Sequence, residues 1–187
     1  MNICVDIDGT LNNLQDVLYK VGEYFSKEIL GLNTKMDKRE YELRKSFGWN
    51  REQEELFWDT FMIHCFAMAE IREGAVEVLQ RLKNEGHKIY LATARNKHIN
   101  GVLEATKASL VYNNVPHDYL YMNVEDKAKF CKKYNIDVKI EDKLENCEAV
   151  SKVTRVFCFD NPYNQNYAGE RIKKWIELPI LKVEKTA

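Results

Sequence analysis

The chain has 187 residues, of which 45% are hydrophobic and 30% charged, with a formal net charge of −1. That is enough for one domain with a proper core and a small second lobe. The near-neutral balance gives no basic surplus for a nucleic-acid polymer, and no apolar run reaches membrane-spanning length. The N-terminus has no basic stretch followed by an apolar run and a cleavage site, so no secretion signal is expected. The five cysteines, Cys4, Cys65, Cys131, Cys147 and Cys158, are scattered, odd in number and mostly in apolar company. They read as reduced core thiols of a cytoplasmic protein rather than as a zinc or redox site.

The first strand leads into Cys4-Val5-Asp6-Ile7-Asp8-Gly9-Thr10. Alternation along extended backbone turns Asp6 and Asp8 toward one side, and Gly9 permits a sharp turn. Two carboxylates held this close repel unless a positive charge lies between them, and carboxylate oxygens suit a hard cation such as Mg²⁺. Residues 12 to 30 carry apolar positions at helical spacing. Residues 32 to 54 are polar, with an aromatic island at Phe47-Gly48-Trp49. Asn50 caps an expected helix from 51 to about 69 that holds Phe57, Trp58 and Phe61. So long a helical stretch after the first strand is expected to be an inserted helical domain over 11–72.

From Gly74 the pattern changes. Helices are expected over 74–85, 98–113, 125–134, 144–151 and 169–177, and strands over 87–93, 118–122, 137–140 and 154–159. Strands alternating with helices predict an α/β fold: a Rossmann-like parallel sheet flanked by helices, built from 1–10 and 73–187. Residues 182–187 are expected to fray. In such sheets ligands bind beyond the carboxyl ends of the strands. Asp6, Asp8, Thr10, Thr93, Arg95, Lys127, Glu141, Asp142 and Asp160 all fall at or near such ends. A calcium loop would need further oxygen ligands where Leu11 to Leu14 stand. A phospho-receiver domain would place its acidic pair after the first strand and would have no large insertion.

An Asp-x-Asp-Gly-Thr motif, a later Thr93, then Lys127 and the Ile140-Glu141-Asp142 segment, in that order, resemble the haloacid dehalogenase-like superfamily of phosphotransferases. Four further segments resemble its 5′(3′)-deoxyribonucleotidase type and bacterial nucleotidase-like relatives. They are Ala92-Thr93-Ala94-Arg95, Asp126 to Cys131, Asn135 to Val138, and Phe159-Asp160-Asn161-Pro162-Tyr163-Asn164. The resemblance implies a Mg²⁺-dependent phosphomonoester hydrolase. Asp6 would be the nucleophile, Asp8 the general acid and base, and Thr93 and Lys127 the ligands of the phosphoryl group. The metal would sit on Asp6, the Asp8 carbonyl and Asp142, with Glu141 in support. The acidic pair is Glu-Asp rather than two aspartates, so either acid could be the one at the metal, and Asp142 is favoured. Thr10 and Arg95 are candidates for substrate contact, as are Trp49, Phe57 and Trp58, although aromatics at this spacing also suit the core of the inserted helices. The implied substrate is a small phosphorylated molecule, a nucleoside monophosphate in the first instance. A sugar phosphate, or a non-catalytic binding module on the same fold, are the alternatives.

Overall fold

A computed structural model describes residues 1–179; the segment 182–187, expected to fray, lies outside the described residues. Strands β1 (Asn2–Val5), β2 (Lys88–Ala92), β3 (Tyr119–Tyr121), β4 (Val138–Glu141), β5 (Arg155–Phe159) and β6 (Arg171–Ile172) form one parallel sheet in the order β3-β2-β1-β4-β5-β6. Helices α4 (Ala75–Asn84), α5 (Val102–Tyr112), α6 (Lys127–Lys133) and α7 (Leu144–Ser151) make the crossovers. The sheet is buried on both faces. Ile3, Val5, Leu91, Val138, Ile140 and Phe157 face one layer with α4, while Cys4, Ala92, Val156 and Cys158 face the other with α6 and α7. All five cysteines are free and buried.

The connections leave β1 toward β2 and β3, then return to its other side at β4. The strand order therefore reverses between β1 and β4, the place where such sheets open a crevice at their carboxyl ends. Val5 lies opposite Ile140, and the Asp6 amide donates to the Ile140 carbonyl at 3.0 Å. This register sets the residue after β1 level with the Glu141-Asp142 pair that ends β4.

Between β1 and β2 lie α1 (Leu14–Tyr24), a wide helical turn over Phe25–Ile29, α2 (Leu43–Phe47) and α3 (Arg51–Met68). Asn50 caps α3 reciprocally with Gln53, as its sequence predicts. These helices bury a second apolar cluster, which Val102 of α5 joins. Phe25, Phe47, Trp49 and Phe57 are its centre, with Phe47 stacked on Trp49 at 4.6 Å between ring centroids. The chain leaves and re-enters the sheet side by side: Asn12 pairs with Ile71, and the Arg72 amide donates to the Leu11 carbonyl at 2.9 Å.

One expected element is absent. Residues 169–177 are not a helix; Arg171 and Ile172 form β6, and a single helical turn follows over Trp175–Glu177. The i, i+3 spacing of Ile172 and Trp175 mimics a helix. Instead, Ile172 pairs with Phe159, and Trp175 buries its ring completely while its Nε1 donates to the Thr10 carbonyl at 3.2 Å. Tertiary burial outweighs a weak local preference here. Among the described residues, no helix is long and apolar enough to cross a membrane.

Candidate active site

Asp6 follows β1 in extended backbone, and the chain then turns through Asp8 and Gly9. Gly9 has φ of 79°, which an L side chain rarely adopts. A Cβ at this position would also run into the Asp142 carboxylate and the Tyr163 hydroxyl. Glycine is thus required twice, by the backbone angle and by the close approach of the β4 loop.

Asp6, Glu141 and Asp142 each present a carboxylate oxygen, and the three lie within 4.8 Å of one another. All three are buried. Burial, with Glu141 and Asp6 alongside, pushes the Asp142 carboxyl well above the usual carboxylate range. Hydrogen bonds from Tyr163 Oη and from Thr10 Oγ1, the latter at 2.8 Å, only partly offset this. A hard cation relieves this repulsion, and an all-oxygen donor set is what a divalent ion of the Mg²⁺ or Ca²⁺ kind takes. The residues fit such an ion.

The cations are as deeply placed. Lys127, at the start of α6, donates to Asp6 Oδ1 at 2.6 Å and to the Ala92 carbonyl at 2.5 Å, and it is 3% exposed. Asp126 caps this helix by accepting from the Lys129 amide. Arg95 is committed three ways. Its Nε and Nη2 hold Asp8, at 2.9 Å to Oδ2 and 2.6 Å to Oδ1. Its Nη1 donates to Thr106 Oγ1 at 2.9 Å, and its guanidinium lies 3.9 Å over the Phe66 ring. Thr93, at the end of β2, accepts from the Arg95 amide.

The loop after β5 locks the arrangement. Asn161 Nδ2 donates to the Gly9 carbonyl at 3.2 Å, and Asn164 Nδ2 to the Asp142 carbonyl at 2.7 Å. Arg72 Nη2 reaches the same Gly9 carbonyl at 3.0 Å. This explains the Phe159-to-Asn164 segment: it clamps the two carboxylate loops together. Asp160 does not join the other acids; it turns outward to Arg171 at 2.9 Å.

A cavity of 230 Å³ opens over these groups, with Asp6, Asp8, Tyr41, Thr93, Lys127, Glu141 and Lys143 among its lining residues. Lys143 Nζ sits 4.7 Å from the Tyr41 ring centroid, and Tyr41 meets Tyr163 edge to face. Burial first, then the Asp142, Asp6 and Asp8 carboxylates, push the Tyr41 phenol well above its ordinary value, so it stays neutral. The aromatic expected at the cavity is therefore a different residue from those named in the sequence. Trp49 and Phe57 lie inside the helical cluster, where Trp49 Nε1 donates to Ser26 Oγ and Phe57 is fully buried; neither lines the cavity, and nor does Trp58, which packs against Phe57. Large rings that can bury completely in an apolar cluster do so. Tyr41 sits in the polar stretch 32–54, where no periodicity singles it out. A larger cleft of 880 Å³ lies beside the chain crossing, between Glu70 to Glu77 and Lys173 to Ile176, away from the carboxylates.

Residues 1–186 match the family described as 5′ nucleotidase, deoxy (pyrimidine), cytosolic type C protein. The chain belongs to this nucleotidase family. A candidate nucleotidase of Halalkalibacterium halodurans is 31% identical over 182 residues, covering 92% of this chain and 88% of that protein. A nucleotidase of Clostridium acetobutylicum is 25% identical, covering 92% and 86%. A haloacid dehalogenase-like hydrolase from Streptococcus pneumoniae shares the fold, with a TM-score of 0.67 at 15% identity over 94% of this chain and 95% of that one. The CbbY protein of Rhodobacter sphaeroides, solved with phosphate, has a TM-score of 0.61 at 16% identity, with 95% of each chain covered. The nucleotidase chain is thus a phosphomonoesterase on the haloacid dehalogenase-like fold, with a carboxylate cluster of the kind that holds a divalent metal.

Proposed function

We propose that this nucleotidase hydrolyses nucleoside monophosphates through a phosphorylated Asp6, with Mg²⁺ as its metal. The observation that carries the reading is Asp6 itself: a buried carboxylate at the strand-order reversal, 2.6 Å from the Lys127 ammonium and grouped with Glu141 and Asp142. Asp6 Oδ attacks phosphorus as the bond to the nucleoside oxygen breaks, and the departing oxygen takes a proton from Asp8. Asp8 then removes a proton from water. That water attacks the same phosphorus, and the Asp6 carboxylate leaves, which regenerates the enzyme and releases inorganic phosphate. Lys127 and Thr93 hold phosphoryl oxygens, and Arg95 fixes the orientation of Asp8. Asp6, Asp142 and the Asp8 carbonyl would hold Mg²⁺, with Glu141 in support. The ion would supply charge neutralisation, so that a phosphate dianion can approach the carboxylates.

Residues 11–72 act as the cap in this reading, and Tyr41 is its substrate-facing ring. The cavity of 230 Å³ is smaller than the roughly 300 Å³ at which small-molecule pockets begin. The cavity must widen to take a nucleotide, whose base then replaces Lys143 on the Tyr41 ring. The buried free thiols fit a reducing, cytoplasmic setting.

Phosphate release across a panel of nucleoside 5′- and 3′-monophosphates and sugar phosphates, with and without Mg²⁺, tests the proposal. Nucleotides are expected to give the highest kcat/KM, and a sugar phosphate ahead of every nucleotide would replace it. In the same assay Tyr41→Ala is expected to raise KM for the preferred nucleotide about tenfold while Tyr41→Phe keeps it, since base stacking on an aromatic ring is worth about 1–3 kcal/mol.

A further inference from the structure

Lys139 is out of place. It occupies the middle of β4, a strand paired on both sides, whose other residues before Glu141 are Val138 and Ile140. Strands covered on both faces are built from apolar residues. Lys139 is nevertheless wholly buried, in the layer below the carboxylates, where Cys4 and Cys131 pack. Its Nζ lies 3.2 Å from Glu141 Oε2, two residues on along the same face. The angles fall outside hydrogen-bond geometry, so neither Nζ nor Oε2 has a hydrogen bond among the described residues. Glu141 Oε1 accepts from the amides of Asp142 and Lys143, each at 3.3 Å.

A buried ion pair of this kind is a poor way to stabilise a core; apolar residues of similar volume usually serve as well or better. Stability alone therefore does not account for a lysine here, but charge does. The carboxylates Asp6, Asp8, Glu141 and Asp142 face the cations Lys127, Arg95 and Lys139, and Lys143 lines the cavity above them. Without Lys139, Glu141 would add an unbalanced charge to the cluster. Such a cluster would hold a divalent cation more tightly and repel a phosphate dianion more strongly.

We propose that Lys139 is a positioning residue: a fixed counter-charge behind Glu141 that sets the balance between cation binding and phosphate binding at this site. The inference rests on reading the carboxylate cluster as a cation site. Mg²⁺ is titrated calorimetrically into the metal-free full chain, and inorganic phosphate is then titrated at saturating Mg²⁺. Both titrations are run on wild type, Lys139→Met and Lys139→Gln. Each variant is expected to bind Mg²⁺ about tenfold more tightly and phosphate about tenfold more weakly. These opposite shifts are the signature of charge. A pair that only supports the fold would weaken both ligands together, and that result, or two affinities within about twofold of wild type, overturns the assignment. Lys139→Gln keeps a donor toward Glu141 without the charge, so it carries the same test should the methionine variant fail to fold. If wild type takes up no Mg²⁺, the cation-site reading falls and the inference with it. If wild type binds both ligands and the variants match it, only the role of Lys139 falls.

Discussion

Asp6→Asn is expected to keep the fold and lose turnover by a factor on the order of 10⁴ or more, the scale set by removing a nucleophile from a working site. The asparagine still offers Oδ1 to Lys127, and the ammonium keeps the Ala92 carbonyl at 2.5 Å, so neither group is stranded. Removing one acid from a cluster within 4.8 Å also relieves repulsion. Phosphate release and thermal denaturation measured side by side separate chemistry from folding. An Asp6→Asn variant that turns over at the wild-type rate contradicts the assignment of the nucleophile.

Lys127→Met has the opposite balance of effects. It leaves the Asp6 carboxylate buried, 7% exposed, and without its ammonium. Breaking such a pair from one side costs about 3–5 kcal/mol of stability, and for a chain of this size about 2–4 °C of Tm accompanies each kcal/mol. A fall in Tm of roughly 10 °C, together with loss of phosphate binding, is the expected result. The double variant Lys127→Met/Asp6→Asn removes the stranded charge and is expected to recover most of the Tm with none of the activity. A double variant no more stable than Lys127→Met would show that the pair is not what holds this corner together.

Asp6 and Lys127 are residues that the sequence names openly, and that is no accident. Asp6, Asp8, Thr93, Lys127, Glu141 and Asp142 sit at strand ends or a helix start, and their order along the chain survives in the spacing of the strands. A strand order that reverses beside β1 then brings them together, so local pattern and global geometry agree. The α/β alternation was legible for the same reason: short apolar runs separated by amphipathic helices have few other solutions.

What escaped the sequence depends on long-range contact. Arg171-Ile172 pairs only because β5 offers an edge, and no local signal distinguishes it from the start of a helix. Tyr41 gains its meaning from Lys143 and Tyr163, which lie some hundred residues away. Asn161 and Asn164 belong to a segment that the resemblance singles out, but only the fold shows that their amides tie the Gly9 and Asp142 carbonyls together. Arg95, at a strand end, suggests a substrate contact, whereas its guanidinium is taken up by Asp8, Thr106 and Phe66. Lys139 did leave a trace: a lysine between Val138 and Ile140, two residues before an acid, in a strand otherwise apolar. A charge that interrupts a central strand is a signal worth reading wherever an acidic motif follows it.

In the proposed mechanism a phosphoryl group passes through Asp6. The Asp8→Asn variant keeps the nucleophile and removes both the acid of the first step and the base of the second; with an aryl phosphate, whose leaving group departs without a proton, only the second step is slowed and the intermediate is expected to accumulate. Acid quenching of this variant during turnover of an aryl phosphate, followed by mass spectrometry of its peptides, reads the outcome directly. One added phosphoryl group is expected on the peptide that carries Asp6. Turnover with no phosphorylated peptide, or with the phosphoryl group on any other residue, would contradict it.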